Sequence, residues 1–304
     1  MLPEPPAQEE RLTASPAASG PVVIRRATQA DVDKSAEICY EAFSSINAQH
    51  NFPPDFPGPE VAGQVLSWMF SHPHFFCVVA EQNGKIVGSN CLDERTPIAG
   101  IGPVTVDPAS QNAGAGRQLM QAVLERAAEK NFAGVRLVQA AFHRRSMSLY
   151  TKLGFAIREP LVVMQGSAIG RLPAGYSVRA AAMSDLEPCN GLCRRIHGHH
   201  RSGELADAIR EGMARVVEHN GRLTAYATVV GFFGHAVAES NYGLEALIGA
   251  AAEFAGPGFL LPARNTELFR WCLLNGLRVV EPMTLMSMGL YNEPTGAFLS
   301  SIAF

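Results

Sequence analysis

The sequence has few charged residues and no long apolar run. Charged side chains make up 17% of its 304 residues, and hydrophobic side chains make up 47%. This composition excludes a largely disordered chain, because such chains combine high charge with few apolar residues. No apolar run reaches the roughly 18 residues of a membrane helix, so we expect no membrane partner. At about 100–200 residues per domain, the length predicts two domains.

An excess of positive charge is also missing. The chain has 25 basic and 28 acidic side chains, a formal net charge of −3. Proteins that bind nucleic acid through a broad surface present a basic face, and this balance does not favour one. We therefore expect no nucleic-acid partner.

None of the six cysteines forms a C-x-x-C pair. We expect all six to be reduced, buried side chains of a cytoplasmic protein. Residues 1–20 lack the basic-then-apolar order of a signal peptide and are rich in Pro, Ala and Glu, which predicts a disordered arm. The histidines His197, His199 and His200 match no metal-ligand spacing, and we expect them to be solvated and no metal to be bound.

The order of strand and helix signals indicates an α/β (α+β) fold. Asn83-Gly84 between two apolar runs predicts a hairpin, and four prolines predict a loop at residues 47–60. The predicted strands are 22–25, 75–81, 85–92, 101–106, 135–140 and 155–164. The predicted helices are a capped helix after Thr28, then 60–70, 114–130 and 144–153.

Three short patterns recur later in the same order. Ile24-Arg25…Asp31 recurs as Val178-Arg179…Asp185, and Glu81-Gln82-Asn83-Gly84-Lys85 recurs as Glu218-His219-Asn220-Gly221-Arg222. The third pattern, Gly154…Glu159-Pro160…Met164, recurs as Gly276…Glu281-Pro282…Met286. The order predicts a duplicated domain: residues 21–166 and 176–304, joined by a linker at 167–175.

The chemistry is carried by a glycine-rich turn between a strand and a helix. It reads Gln111-Asn112-Ala113-Gly114-Ala115-Gly116-Arg117 and follows Val104-Thr105-Val106. The first amides of a helix have no internal partners and carry the positive end of its dipole, so they can bind phosphate oxygens. The spacing fits neither the dinucleotide fingerprint nor the P-loop, which disfavours NAD and ATP.

This turn resembles the pyrophosphate loop Q/R-x-x-G-x-G/A of the GNAT N-acetyltransferase family. A second family motif, ending in L-Y-x-K-L-G-F, resembles Leu149-Tyr150-Thr151-Lys152-Leu153-Gly154-Phe155. The resemblance covers residues 22–165. It implies two GNAT-like domains, each a mixed, mostly antiparallel sheet flanked by helices.

The resemblance also implies how acetyl-CoA would bind as the acyl donor. Its pyrophosphate would take the amides of Gln111, Asn112, Ala113, Gly114, Ala115, Gly116 and Arg117. Its pantetheine arm would bond the backbone of Val104, Thr105 and Val106, and an amide near Val104 could stabilise the oxyanion. Tyr150 matches the family's general acid, which protonates the departing thiolate.

Two further positions are less closely matched. Where the family often has Asn, seven residues before the tyrosine, this chain has His143, which we expect to contact the donor, with a role as base as the alternative. For the general base we favour Glu94 over Asp93, since both end a hairpin strand near the place where the family often has an acid. The alternative is that these are two solvated carboxylates.

The second copy lacks the catalytic pattern. At the offset of Gly154 and Gly276, Cys272 falls opposite Tyr150 and Asn265 opposite His143. No Q-x-x-G-x-G loop precedes its helix, and Glu239 stands there instead and would repel a pyrophosphate. We expect a degenerate GNAT-like domain that walls the acceptor pocket.

The sequence therefore predicts an N-acetyltransferase that transfers acetyl from acetyl-CoA to a primary amine, by direct attack in a ternary complex. A small molecule is the favoured acceptor. The alternatives are a protein-lysine acetyltransferase and a non-catalytic acyl-CoA-binding sensor. The oligomeric state, monomer or dimer, is left open.

Overall fold

The computed structural model describes residues 20–111 and 114–303. The predicted arm at residues 1–20, apart from Gly20, lies outside the described residues, as do Asn112 and Ala113.

The elements of the described residues alternate between helices and strands. The strands are β1 (Val22–Arg26), β2 (Phe75–Gln82), β3 (Lys85–Asp93), β4 (Ile98–Ile101), β5 (Thr105–Val106), β6 (Gly134–Ala140), β7 (Ala156–Gln165), β8 (Tyr176–Ala180), β9 (Arg215–His219), β10 (Arg222–Ala227), β11 (Ala236–Ala238), β12 (Phe259–Pro262), β13 (Arg278–Gly289) and β14 (Ala297–Leu299). The helices are α1 (Val32–Gln49), α2 (Pro59–Ser71), α3 (Ala115–Glu129), α4 (Arg144–Lys152), α5 (Leu186–His197), α6 (Ser202–Arg210), α7 (Asn241–Ala250) and α8 (Thr266–Leu274).

Two sheets organise these elements. The first sheet has the order β1-β2-β3-β4-β6-β13-β7-β12, with β5 added beside β3, and the second has the order β14-β11-β10-β9-β8. Within the described pairs only β4 and β6 are parallel among the named strands. The predicted fold class, α/β with mixed, mostly antiparallel sheets flanked by helices, is confirmed.

Apolar faces of the helices fix their positions on the sheets. Leu119, Met120 and Val123 of α3 pack with Tyr150 of α4 on one face of the first sheet. The opposite face receives α1 and α2, through a second buried cluster that includes Ala36 and Leu66. The predicted loop between α1 and α2 therefore lies on the face opposite to α3.

The structure repeats the same ion-pair arrangement in both halves. Arg25 bonds both carboxylate oxygens of Asp31 at 2.8 Å and Glu81 at 2.9 Å. Arg179 bonds Asp185 at 2.7 and 2.8 Å and Glu218 at 2.8 Å. These residues are the ones that the repeated sequence patterns align, so the duplication has a structural counterpart.

The two halves exchange strands in their shared sheet. β13, from the second half, lies between β6 and β7 of the first, and β7 in turn pairs with β12. The exchange is symmetric: the Ala141 N–H donates to the Pro282 carbonyl, and the Ala263 N–H donates to the Pro160 carbonyl. The division at residues 21–166, 167–175 and 176–304 stays a prediction about the chain, and the sheet itself crosses it.

Two expectations are wrong, one about the histidines and one about the cysteines. His197 and His199 are buried rather than solvated, and the imidazole of His197 lies 3.2 Å from that of His235. Cys77 and Cys91 are opposite each other on β2 and β3 and form a disulfide, while the other four cysteines are free and buried. Among the described residues, no helix is long and apolar enough to cross a membrane.

Candidate active site

The site forms where two neighbouring strands separate. β4 pairs with β6 from Ile98 to Gly100, and the chain then turns through a cis peptide at Gly102-Pro103. Beyond the turn, β5 pairs only with β3, while β6 continues beside β13. The continuous strand predicted at 101–106 is therefore two strands, and a gap opens between β5 and the end of β6.

A cavity of about 630 Å³ occupies this gap. It runs from the N-terminus of α3, past Tyr150, to the loop between α1 and α2. One end is lined by cations and backbone amides, and the other is mainly apolar.

The cationic end contains the described part of the predicted phosphate loop. Gly114 has φ +85°, a conformation that favours glycine, and it precedes α3. A Cβ at Gly116 would only reach ordinary contact with Val106 and Leu149, so a longer side chain there would extend into the cavity. The Gln111 amide oxygen accepts a hydrogen bond of 2.8 Å from Arg145, which ties the loop to α4.

A basic cleft of about 420 Å³ adjoins this end. It is lined by Arg117, Arg144, Arg145, Ser148 and Lys152. Cationic side chains beside free helix amides suit phosphate groups, so the residues present fit a CoA nucleotide.

Val104 and Val106 line the cavity, and Ala115 is buried at the start of α3. The Thr105 side chain points away, because its hydroxyl lies 3.1 Å from that of Ser89 on the neighbouring strand. Thr105 can therefore reach a ligand only through its backbone, which is the contact that the resemblance implies.

Tyr150 lies at the middle of the cavity wall. The residue is buried, and its hydroxyl hydrogen-bonds Ser146. Burial raises the pKa of Tyr150 to about 12. The phenol therefore keeps its proton at neutral pH and can donate it to an atom in the cavity.

His143 caps α4 as well as lining the cavity. Its Nδ1 accepts from the Ser146 N–H at 3.4 Å, and burial lowers its pKa. Asn265 caps α8 in the same way, through the Leu268 N–H at 3.4 Å. The shared cap explains why Asn and His are both accepted at this position: each offers an acceptor to an open helix end.

The position of Glu94 does not fit the predicted general base. Its carboxylate accepts two hydrogen bonds from Arg126 of α3, at 2.7 and 3.2 Å, and does not line the cavity. Asp93, the alternative, is held by Arg95 at 2.6 Å. The bend after β3 turns both side chains toward arginines, and neither lines the cavity, so the structure does not support Glu94 or Asp93 as the base and the assignment stays a prediction.

The apolar end is built from both halves of the chain. The first half contributes Phe43, Phe56 and Met69, and residues after the linker contribute Phe232, Phe233, Met283, Ile302 and Ala303. A Cβ at Gly100 would collide with the Ala303 carbonyl oxygen, so the segment after β14 packs directly on β4.

Three polar side chains of this region were missed in the sequence. Asp55 lines the cavity and hydrogen-bonds the carboxyl of Glu281, a residue of β13 that is 2% exposed. Gln139 lines the cavity, is 7% exposed, and has no hydrogen-bond partner for its amide. The sequence signal that could have indicated them is the repeated Glu-Pro pattern of Glu159 and Glu281. A glutamate inside an apolar strand needs a partner, because a buried charge is costly without one.

The second half fills the corresponding gap. β14 pairs with β11, and the Ser300 N–H donates to the Leu260 carbonyl of β12. At the start of α7, Asn241 and Asn265 exchange side-chain hydrogen bonds of 3.1 and 2.8 Å. Glu239 lies just before α7, where the sequence predicts a residue that repels a pyrophosphate. It accepts hydrogen bonds from Arg195 and Arg222.

In the described residues, no three His, Cys, Asp or Glu side chains are grouped as metal ligands would be.

Comparisons with known proteins agree with this geometry. Residues 40–155 match the acetyltransferase (GNAT) family. A mycothiol acetyltransferase of Nocardia farcinica (strain IFM 10152) is 41% identical over 64 residues, and the match spans 21% of this chain and 21% of that relative. About a fifth of the curated relative is therefore covered.

Solved structures share the fold of the whole chain. A Pyrococcus horikoshii protein assigned as an acetyltransferase is 20% identical, with a TM-score of 0.71 over 90% of this chain and 91% of its own. A tandem GNAT protein from the clavulanic acid biosynthesis pathway is 15% identical, with a TM-score of 0.53 over 88% and 98%. The predicted two-part GNAT fold is confirmed, and within it the match to the acetyltransferase (GNAT) family model lies in the first half, at residues 40–155.

Proposed function

We propose that this protein is an N-acetyltransferase that transfers the acetyl group of acetyl-CoA to a primary amine of a small molecule. The single observation that carries the proposal is the continuity of the cavity. A donor end fitted for phosphates, a buried tyrosine and an acceptor end lined by residues of both halves share one space of about 630 Å³. Both substrates can therefore be bound together, as direct transfer requires.

In this mechanism the amine attacks the thioester carbonyl at the gap between β5 and β6. A backbone amide near Val104 would stabilise the oxyanion, and the Tyr150 hydroxyl would protonate the departing sulfur. The attacking nitrogen loses one proton as the amide forms, and this proton restores the phenol. No cysteine or serine nucleophile is required for this sequence of steps.

The walls that both halves give the acceptor end favour a small molecule over a protein lysine. Phe232 and Ile302 belong to the second half and line this end of the cavity. A small-molecule acceptor agrees with the name of the Nocardia relative, a mycothiol acetyltransferase. A cytoplasmic location stays a prediction.

The test is thiol release from acetyl-CoA with a panel of small amines and a lysine peptide. We expect release with at least one small amine and little with the peptide. Release with the peptide alone would favour a protein-lysine acetyltransferase. Tight acetyl-CoA binding with no release for any acceptor would favour a sensor.

A further inference from the structure

Two carboxyl groups from different halves meet at the acceptor end. Asp55, in the loop between α1 and α2, lines the cavity and hydrogen-bonds the carboxyl of Glu281 on β13. Two carboxyls can share such a bond only if one of them carries a proton. Asn47 donates to Asp55 at 2.9 Å and to the Pro53 carbonyl at 2.8 Å, which holds the loop in place.

No cation of the described residues neutralises this pair. Among the described residues, Asn47 and Glu281 hydrogen-bond Asp55, and the thiol of Cys39 on α1 lies nearby. Glu281 in turn hydrogen-bonds Asp55. Burial of an acid pair without a counterion is costly, so the pair is suited to a cation that arrives with a ligand.

Glu159, the counterpart of Glu281 in the other half, has a cation as its partner instead of an acid. Glu159 has the same place on β7 that Glu281 has on β13, and it is also buried. Arg264 donates to Glu159 at 2.7 Å. The glutamate on β7 is therefore neutralised by an arginine of the second half, whereas the glutamate on β13 faces a second acid beside the cavity.

The rest of the acceptor end is apolar. Phe43, Phe56, Met69, Phe232 and Met283 line it, and Asp55 is the one carboxylate among the described lining residues. Gln139, buried and without a hydrogen-bond partner, offers one neutral polar group to the same cavity. A ligand that fits these surfaces has one positive charge and a carbon skeleton that is mostly apolar.

We propose that Asp55, held by the buried Glu281 behind it, binds the ammonium group of the acceptor, and that the acceptor is a primary amine with one positive charge, an apolar body and no carboxylate. This inference rests on the proposed function and names its substrate class. It also gives the reaction its base. The ionised member of the pair takes one proton from R–NH3+, and the neutral amine then attacks the acetyl carbonyl.

The proton balance is complete with these groups. The ammonium loses one proton to the acid pair, which passes it to solvent, and the second proton leaves the nitrogen as the amide forms. That second proton replaces the one that Tyr150 gives to sulfur. Glu281 holds the shared proton, so Asp55 is the ionised member, and burial raises the pKa of Asp55 to about 6, closer to the ~10 of an alkylamine.

The same chemistry disfavours other amines. The carboxylate of a free amino acid would be repelled by the acid pair. A second ammonium, as in a polyamine, would lie against aromatic and aliphatic side chains without a partner. The hydroxyls of an amino sugar would lose their hydrogen bonds to water in the same surroundings.

The experiment compares four amines with the full chain at saturating acetyl-CoA: phenethylamine, phenylalanine, spermidine and glucosamine. We expect kcat/KM for phenethylamine to exceed that of each of the others at least tenfold. Asp55→Asn and Glu281→Gln should each raise the KM for phenethylamine at least tenfold, with the dissociation constant of acetyl-CoA unchanged. The matched control is Glu159→Gln, which should leave that KM at the wild-type value.

A pH profile separates binding from a structural role. In the wild type, KM for phenethylamine should fall as the pair loses its shared proton, with an inflection near pH 8. In Asp55→Asn this inflection should move to lower pH, because the Asp55 carboxyl raises the pKa of Glu281. A structural role of the pair would not move an inflection in amine KM.

The outcomes are distinguishable. Unchanged KM in both variants, or a preference for phenylalanine or glucosamine, would overturn the inference and leave the proposed function standing. If no amine releases thiol, the proposed function fails, and calorimetry of phenethylamine with the CoA-bound protein still tests the pair. Binding that is lost in Asp55→Asn would support the site, and equal binding would overturn it.

Discussion

The two halves treat the same buried dipeptide in opposite ways. Glu159-Pro160 and Glu281-Pro282 occupy equivalent places on the exchanged strands β7 and β13. Glu159 is paired with Arg264, and Glu281 is hydrogen-bonded to Asp55. After duplication, one copy has an ion pair at this place, and the other has an acid pair that lacks a cation.

The cavity of the first half and the matching region of the second half also differ. The first half has a gap between β5 and β6 with a cavity in it, while the second half has β14 in the gap between β11 and β12. Asn241 and Asn265 bond each other at the start of α7, whereas the first half has a basic cleft beside the start of α3. In the second half, strand β14 and the paired side chains of Asn241 and Asn265 take the places that a ligand would fill.

The largest effect that would test this difference is expected at Tyr150, the proposed general acid. Tyr150→Phe removes only the hydroxyl, and the rate of acetyl transfer should fall on the order of 10²-fold, because the thiolate loses its proton donor. Cys272→Ala, at the equivalent place in the second half, should leave the rate unchanged. Steady-state kinetics measure both. A wild-type kcat in Tyr150→Phe would contradict the assignment of the acid.

The buried glutamates can be compared through the pH dependence of stability. The pKa of Glu281 in the folded protein is raised to about 8, so the folded state holds its proton more tightly than the unfolded state. The stabilisation that the protonated Glu281 adds to the folded state is fully present below about pH 4.5, and it is lost as the pH rises through about 8.

The free energy of unfolding of the wild type, relative to Glu281→Gln, should therefore fall by about 4 kcal/mol between pH 5 and pH 9. Burial also raises the pKa of Glu159, but Arg264 offsets part of this rise, so the same difference for Glu159→Gln should have the same sign and be smaller. Urea unfolding at several pH values gives both differences. Equal slopes for the two variants would remove the contrast between the halves.

Donor binding should also distinguish the halves. Gly116→Glu places a bulky anion beside the expected pyrophosphate, and we expect acetyl-CoA affinity to fall at least tenfold, about 1.4 kcal/mol. Tyr242→Glu, an exposed position at the start of α7, is the matched control and should have no effect. Calorimetry should find one CoA per chain. Two bound molecules would mean that the second half also has a donor site.

The smallest expected effect concerns the helix cap that both halves have. His143 and Asn265 each cap a helix with a side-chain acceptor. His143→Ala and Asn265→Ala should each lower the free energy of unfolding by about 1 kcal/mol, and His143→Asn should retain most of it. Urea denaturation checks all three variants. No loss in either alanine variant would show that the caps do not stabilise the helices.

Local patterns in the sequence predicted most elements of the first half. The Asn83-Gly84 hairpin, α2, α3, β6 and α4 lie within a residue or two of their predicted bounds, because turn residues and helical periodicity act over short distances. Pro103 was the visible sign that the predicted strand at 101–106 is interrupted. The glycine loop and Tyr150 were found because each belongs to a contiguous motif.

The strand exchange and the acid pair could not be predicted in this way. β7 and β13 have the same pattern of residues, and periodicity does not specify which strand each one pairs with. Asp55 lies in a proline-rich loop far from Glu281 in the chain, so their contact depends on the exchange. Glu94 was placed at the correct strand end, but the direction of its side chain depends on Arg126 of α3.

The exchanged strands also set the order in which the nascent protein can fold. After β6 and β7 are synthesised, the strand that lies between them is still to be made, and both have unpaired backbone groups. At about 5–20 residues per second, the ribosome delivers β13 on the order of ten seconds later. During that interval the open edges can pair with other strands, including those of a neighbouring nascent chain. The first half therefore completes its sheet only after nearly the whole second half has been translated.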